Sequence, residues 1–120
     1  MTERMTALKL CRECLSDIRS GMEDVRMLKS AIEAMPLDLP ELHRQLEQAE
    51  ASLLERRRKY PWRMEKARQA LGCVGDRERK ALWLYYVLGM SAREGAAAMG
   101  VSEDWFKRLK AAGLRQLTGG

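Results

Sequence analysis

The chain has 120 residues, which is enough for one domain or for a small domain with an appendage. Its hydrophobic content of 46% excludes wholesale disorder, and no apolar run approaches the length of a membrane span. The net charge of +5 arises beyond residue 40, because residues 1–40 carry six Lys and Arg against seven Asp and Glu, whereas residues 41–75 and 76–120 each carry eight against five. This excess favours a polyanionic partner.

Charges interrupt the first fifteen residues, so we expect no signal peptide. An odd number of cysteines, three, predicts a reducing cytoplasm. Cys11 and Cys14 have the spacing of a metal or redox motif, but both fall within a predicted helix, and a zinc site needs four ligands where only Cys73 and His43 remain. We interpret Cys11 as a small core residue and expect no metal and no cofactor.

Residues 4–35 form the first predicted helix, with apolar residues that recur every three or four positions. The apolar stripe comprises Leu8, Cys11, Leu15, Ile18, Met22, Val25 and Ile32. Lys29 interrupts the stripe, where Leu28 substitutes for it, and Gly21 weakens the helix by roughly 1 kcal/mol relative to alanine. Such a stripe predicts packing along a second helix.

A break bracketed by Pro36 and Pro40 separates this helix from a second one, predicted over residues 39–59. Asp38 and Glu41 have the spacing of a capping box, and Pro61 is expected to end or kink the helix. One face is lined by Leu42, Leu46, Ala49 and Leu53. Two amphipathic helices joined by a short loop predict an antiparallel, coiled-coil-like hairpin over residues 1–61.

The second predicted domain, residues 62–120, is also helical. Gly72 and Gly75 flank a turn, and Asp76 is the expected cap of a helix that ends at Gly89. Ser91 caps a helix over residues 92–99, and Ser102 caps a last helix that runs to residue 117. The pattern therefore predicts an all-α protein.

The last two predicted helices have the sequence pattern of a helix-turn-helix. Ala96 is small where the second helix crosses, and Gly100 stands at the turn, where a left-handed backbone is favoured. The buried face of the last helix is predicted to carry Phe106, Leu109, Leu114 and Leu117. Such a unit places its second helix in the major groove of DNA.

Residues 64–117 resemble region 4 of bacterial sigma factors. The matching positions are Arg77-Glu78-Arg79, Leu82, Tyr86, Gly89, Ser91, Glu94, Ala96, Gly100-Val101-Ser102, Phe106, Leu109, Leu114 and Leu117. With a helical hairpin in front, the architecture is similar to small phage-encoded sigma-like regulators of the ArpU/RinA type. The resemblance implies a DNA-binding transcriptional regulator from a phage, prophage or mobile element, with possible contact to RNA polymerase. The resemblance does not extend to the sigma region that opens promoters, so we expect that this chain could not replace a full sigma factor.

The resemblance also implies contact positions, which fall on Glu103, Asp104, Trp105, Lys107 and Arg108. Two positions depart from the family pattern. Gly95 replaces an Ile or Val, so the motif is expected to lose an apolar anchor, and Gly113 replaces an Ala. Without compensation the two glycines would cost about 2 kcal/mol of stability.

Projection of the last helix places its charged residues opposite the apolar face. Arg108 suits bidentate pairing with guanine, and Lys107 or Arg115 suits phosphates. The carboxylate of Asp104 or Glu103 would accept a hydrogen bond from the amino group of cytosine.

Three further surface features follow from the sequence. Ser91 and Arg93 are candidates for a phosphate clamp at a helix N-terminus, and Ser102 is a further candidate DNA contact. Trp105 is interpreted as a residue buried against the module, with a cover over the turn, a contact to a partner or a contact to a DNA sugar as the alternatives. The run Arg56–Lys59 is interpreted as a solvated helix end, with a second DNA contact as the alternative.

We expect no enzymatic activity, because His43 has no apparent catalytic partners and no phosphate-binding glycine loop is present. A homodimer through the hairpin would match two DNA half-sites. Two other functions stay open. One is a DNA-packaging adaptor similar to a terminase small subunit, and the other is a protein-interaction module that contacts polymerase or a regulator without DNA.

Overall fold

The computed structural model describes residues 2–35 and 38–119, which form α-helices and no strand. The helices are α1 (Glu3–Ala34), α2 (Pro40–Ala70), α3 (Asp76–Leu82), α4 (Ala92–Met99) and α5 (Glu103–Leu117). A 3-10 turn over Leu71–Cys73 follows α2, and a π-helical turn over Trp83–Val87 extends α3. The predicted all-α class is confirmed.

Helices α1 and α2 form the predicted antiparallel hairpin. Residues early in α1 face residues late in α2: the Cys14 thiol lies 3.8 Å from the Arg56 carbonyl oxygen, and Arg56 Nη1 donates to the Asp17 carbonyl at 2.9 Å. Further along α1, Gly21 lies against Leu53. Pro36, which was predicted to help break the chain between the helices, lies outside the described residues.

The apolar stripe of α1 is confirmed except at Met22, whose side chain is 48% exposed. Cys14 and Gly21 are buried in addition to the predicted residues. The small Cys14 side chain and the absence of a side chain at Gly21 let α2 approach closely. A Cβ added at Gly21 would lie 3.2 Å from Leu53. Met22 is thereby left at the flank of the contact.

The predicted end of the second helix near residue 59 is wrong, because α2 continues through Pro61 to Ala70. Proline lacks the N–H that would bond the carbonyl of Arg57, but Arg57 is exposed and water can replace that bond. Packing against α1 holds the helix on both sides of Pro61, since Tyr60 and Met64 both pack on the core. The predicted domain boundary at residue 61 therefore falls inside a helix, and the division stays a prediction.

Two predicted caps are also wrong. The N-cap of α2 is Leu39, without a side-chain hydrogen bond, and Asp38 instead lies 3.0 Å from His43 Nε2. Helix α3 begins at Asp76, so Gly75 is its N-cap, and Gln116 accepts from the Gly75 amide at 2.7 Å. Asp76 pairs with Arg79 and Lys80 within its own helix, at 3.3 Å each, and these hydrogen bonds lower its pKa.

The hydrophobic core joins the hairpin to the C-terminal helices. One buried cluster combines α1 and α2 residues with the later helices and comprises Leu8, Cys11, Ala67, Leu71, Val74, Leu82, Tyr86, Val87 and Leu117. A second lies within the C-terminal helices and comprises Ala81, Ala96, Phe106 and Leu109. Tyr85 packs against both clusters. The molecule extends 60 × 29 × 18 Å.

Burial explains the chemistry of the two α1 cysteines. Burial raises the pKa of the Cys11 thiol to about 11, and it also raises the pKa of Cys14. Within the described ranges, no cluster of three or more His, Cys, Asp and Glu side chains is arranged to hold a metal ion. None of the helices in the same ranges combines the length with the apolarity that a bilayer crossing requires.

Candidate nucleic-acid interface

The N-terminus of α4 is fixed by the cap that the sequence predicts. Ser91 Oγ accepts from the Glu94 amide at 3.1 Å, and Glu94 Oε1 accepts from the Ser91 amide at 3.0 Å. The bond from the Ser91 backbone holds the pKa of Glu94 below its ordinary value. Arg93 is exposed in the first turn, and the described part of the chain provides no ion pair for it. Two elements of the predicted phosphate clamp, a helix N-terminus and a cation, are therefore adjacent.

The turn between α4 and α5 has the predicted left-handed residue. Gly100 has φ 68° and ψ 32°, and its amide donates to the carbonyls of Ala96 and Ala97. The Val101 amide bonds the Ala96 carbonyl at 3.0 Å. These bonds satisfy the last carbonyls of α4 and aim the chain into α5.

Glycine at position 95 is explained by the packing of α4 on α5. A Cβ built on Gly95 would lie 2.4 Å from Cζ of the Phe106 ring, so only glycine leaves room for that ring. Phe106 is fully buried. The expectation of a lost apolar anchor is therefore wrong, because the phenyl ring from α5 fills the place that a larger α4 residue would occupy.

Gly113 has a matching role about two turns further along the buried face of α5, where it lies against α3. A Cβ built there would lie 2.7 Å from Leu82 Cδ1. Leu82 is fully buried and thus replaces the missing side chain. Close helix packing compensates both glycines, and α5 lies against α3 and α4 at short range.

Helix α5 is amphipathic, as the projection predicts. Its N-cap Ser102 accepts from the Trp105 amide at 3.1 Å. The buried residues are Phe106, Leu109, Gly113 and Leu117. The predicted contact residues Ser102, Glu103, Asp104, Trp105, Lys107, Arg108 and Arg115 are all exposed, as are Ser91 and Arg93. The structure thus places these nine side chains on the surface of the helix-turn-helix.

The charges on α5 are not equally available to a ligand. Lys107 Nζ lies 3.6 Å from a Glu103 carboxylate oxygen, so part of its charge is neutralised. Among the described residues, Arg108 and Arg115 form no ion pair. A guanidinium that no carboxylate pairs with suits a phosphate or a guanine edge. Among the predicted contact residues of α5, Arg108 and Arg115 are thus the two cations without an ion pair to a described residue.

Lys110 also belongs to α5, but no sequence pattern indicates its role. Its ammonium lies 3.5 Å from the centroid of the Tyr85 ring, and the Arg12 guanidinium lies 3.9 Å from the same centroid. A lysine on a helix resembles any solvated side chain, so this contact could be found only from the tertiary structure. Lys110 braces α5 through a cation–π contact.

Trp105 is 41% exposed, so the interpretation that it is buried against the module is wrong. It borders a groove of about 890 Å³ between α3 and the start of α5. The apolar lining includes Leu71, Trp83, Leu84, Met99, Val101 and Leu109, and the basic lining includes Arg68, Arg77, Arg79 and Lys80. We call this surface the tryptophan groove.

The basic run Arg56–Lys59 lies in the middle of α2, so its interpretation as a helix end is wrong. Arg56 bonds the Asp17 carbonyl across the hairpin, and Arg58 pairs with Glu55 at 2.8 Å. Two of the four charges therefore serve the hairpin itself. A second DNA contact by this run stays a prediction.

The C-terminal geometry agrees with a comparison of sequences. Residues 64–117, from within α2 to the end of α5, match the family model described as Sigma-70, region 4. This part of the chain is a sigma region-4-like helix-turn-helix. No curated protein and no solved structure matches the chain. The match supports a DNA-binding regulator of the helix-turn-helix kind, and the hairpin over residues 2–35 and 38–63 lies outside it.

Proposed function

We propose that this protein is a sequence-specific transcriptional regulator of the phage, prophage or mobile-element type that reads double-stranded DNA with α5. The observation that carries the proposal is the sigma region-4-like match over residues 64–117, combined with an exposed α5 face that carries Arg108 and Arg115 without acidic partners. Such a regulator would act in the cytoplasm, without enzymatic activity and without a cofactor.

In the proposed complex, the first half of α5 lies in the major groove. Arg108 pairs with a guanine edge, and Arg115 binds the phosphate backbone. The exposed Asp104 excludes close phosphates and suits a cytosine amino group. Ser91 and Arg93, at the N-terminus of α4, hold a second phosphate.

Fluorescence anisotropy tests this proposal, with the DNA upstream of the gene as one duplex and a scrambled duplex beside it. We expect tighter binding to the native duplex. Arg108→Ala/Arg115→Ala should remove the preference, whereas Arg44→Glu should keep it. The control lowers the net charge by the same two units at an exposed arginine that pairs only with Glu41. Equal, salt-sensitive binding to both duplexes would refute sequence-specific recognition.

A protein contact is a second candidate function, and the tryptophan groove favours it. Two tryptophans and a rim of four cations against one carboxylate, that of Asp76, suit an acidic amphipathic helix, such as a segment of RNA polymerase or of a regulator. Trp105→Ala should weaken transcription activation without changing anisotropy on DNA. Loss of DNA binding in Trp105→Ala would instead assign Trp105 to the DNA surface.

We also propose that two copies associate through the distal hairpin, defined as residues 19–35 and 38–55. A groove of about 980 Å³ there includes the exposed side chains of Met22 and Leu54. Its charged lining consists of four cations and two carboxylates, so a two-fold pair can place each carboxylate of one copy beside a cation of the other. These residues are Arg19, Arg26, Lys29, Arg57, Glu23 and Glu50.

Light scattering at several concentrations tests this association. Met22→Glu/Leu54→Glu should give a monomer mass, whereas Met27→Glu, on an exposed side chain outside the groove, should not. A wild-type mass that equals one chain at all concentrations would refute the dimer, and a high-order ring would favour a packaging adaptor.

A further inference from the structure

The hairpin grips the segment that leads into the helix-turn-helix. Arg12 Nη1 donates to the Tyr85 carbonyl at 2.5 Å and reaches the Met90 carbonyl at 3.5 Å. The Tyr60 hydroxyl donates to the carbonyl of Val87. The carbonyls of Tyr85 and Val87 lie in the π-helical turn and that of Met90 lies after it, so no following helical turn supplies their hydrogen-bond donors. Side chains of α1 and α2 supply these donors instead.

A second arginine of α1 completes this contact. Arg19 Nη1 donates to the Gly89 carbonyl at 3.1 Å, and its Nη2 donates to the Leu88 carbonyl at 3.3 Å. Gly89 has φ +71°, and an added Cβ would lie 2.6 Å from Leu15. The backbone at residue 89 thus rests directly on α1. We call Arg12, Arg19 and Tyr60 the hairpin clamp.

Electrostatics favours the clamp as well as geometry does. The carbonyls at the C-terminal end of a helix carry a partial negative charge, which a guanidinium offsets. Arg12 is half-buried against the Tyr85 ring, so its bonds to Tyr85 and Met90 are shielded from water. Lys110 of α5 lies on the same Tyr85 ring. The clamp therefore contacts both the start of the helix-turn-helix and, through Tyr85, its second helix.

The segment that the hairpin clamp holds is followed directly by the candidate phosphate site at the N-terminus of α4. Met90 is the last gripped residue, and Ser91, which follows it, is the N-cap of α4. The Met90 amide is itself held by the Leu84 carbonyl at 3.0 Å. The position of the Ser91–Glu94 capping box therefore depends on where α1 holds residues 88–90.

We propose that Arg12, Arg19 and Tyr60 are positioning residues for DNA binding: they fix the N-terminus of α4 in the orientation that holds a phosphate. This inference rests on the proposed DNA-binding function. It makes the hairpin part of the DNA-binding apparatus, although the hairpin clamp itself touches no DNA.

The test compares Arg12→Gln/Arg19→Gln with Arg44→Glu, which lowers the net charge by the same two units at an exposed arginine that pairs only with Glu41 and lies outside the groove of the distal hairpin. Amide hydrogen exchange of the DNA-free protein is measured first. We expect exchange over residues 88–95 to become about tenfold faster in the Arg12/Arg19 variant, since charged hydrogen bonds are lost, with no change in the control. Exchange equal to the control would overturn the inference.

Anisotropy at several salt concentrations then measures DNA binding. We expect affinity to fall about tenfold relative to the control, and the slope of log K against log salt to fall by about 0.9, the value for one lost phosphate contact. An unchanged slope and affinity would overturn the positioning role. Tyr60→Phe, which removes only a hydroxyl, keeps the test open should the arginine variant unfold, and it should accelerate exchange over the same residues by a smaller factor.

The two readouts separate this inference from the proposed function. A wild type that shows no preference for native DNA refutes the function, while hydrogen exchange still reports whether the clamp holds residues 88–95. A wild type that prefers native DNA, together with unaltered exchange in both clamp variants, leaves the function standing and refutes the clamp.

Discussion

Both ends of the hairpin carry an apolar stripe in the sequence, but they differ in what surrounds them. Near residues 2–18 and 56–70, the C-terminal helices add a third layer, and Leu8, Cys11, Ala67 and Leu71 are buried in one cluster with α3 and α5. In the distal hairpin no third layer is present among the described residues, so Met22 and Leu54 remain about half exposed. A heptad-like stripe therefore defines a contact between two helices, but burial depends on what covers them.

The largest expected contrast is in stability. Leu8→Ala should lower the free energy of unfolding by about 2–5 kcal/mol, because it empties a fully buried site where the C-terminal helices cover the hairpin. Leu46→Ala, on a half-buried side chain of the distal hairpin, should cost roughly 1 kcal/mol, because little burial is lost. Urea unfolding of both variants measures the difference, and equal losses would contradict the contrast between the two regions.

Alanine at three glycines should sharpen the same contrast. Gly95→Ala and Gly113→Ala should each destabilise by about 1–3 kcal/mol, because the added methyl meets Phe106 or Leu82 well inside contact distance. Gly21→Ala meets the flexible ends of Arg56 and Leu53 at 3.1 and 3.2 Å, so it should be neutral or should gain up to about 1 kcal/mol of helix propensity. Thermal unfolding decides, and a stabilising Gly95→Ala would refute the packing argument.

These glycines also show what could be predicted from sequence. Local signals were reliable: the Ser91 and Ser102 caps, the left-handed Gly100 and the buried face of α5 each depend on a few neighbouring residues. The fit of Gly95 to Phe106 depends on how two helices cross, which spacing does not encode. The same holds for α2, where packing on both sides of Pro61 overrides a strong local signal for a helix end.

In the candidate site, too, the local pattern could be predicted and the tertiary contacts could not. Periodicity and resemblance predicted nine surface residues, and the structure has all nine exposed. The contacts of Arg12, Arg19 and Lys110 were not predicted, because an arginine or lysine on an amphipathic helix looks solvated whether it faces water or a neighbouring carbonyl.

A smaller effect is expected at the helix caps. Ser102→Ala should destabilise by about 1 kcal/mol, because the Trp105 amide loses its acceptor. Ser30→Ala, at an exposed position within α1 of the distal hairpin, should change stability by no more than about 0.5 kcal/mol. Urea midpoints at pH 7 measure both, and an equal loss at Ser30 would show that loss of a serine, rather than of a cap, sets the cost.

The smallest effect is a pH dependence that separates two exposed carboxylates. Both Glu94 and Glu23 have a lowered pKa, the first through the Ser91 backbone amide and the second through Arg26. A carboxylate whose pKa is lowered in the folded state stabilises the fold at pH values above its unfolded pKa of about 4.3. This stabilisation is lost as the pH falls through the folded-state pKa. Glu94→Gln and Glu23→Gln should each flatten the acid limb of the stability curve.

Salt distinguishes the two carboxylates, because the partner of Glu23 is a cation and the partner of Glu94 is a neutral amide. Raising the salt concentration screens the ion pair in the distal hairpin, so the effect of Glu23→Gln should shrink. The effect of Glu94→Gln should persist, since its hydrogen bond is short-ranged and belongs to the cap of α4. Unfolding curves at two salt concentrations over the acid range would show this, and equal screening at both sites would contradict the capping box as the source of the Glu94 contribution.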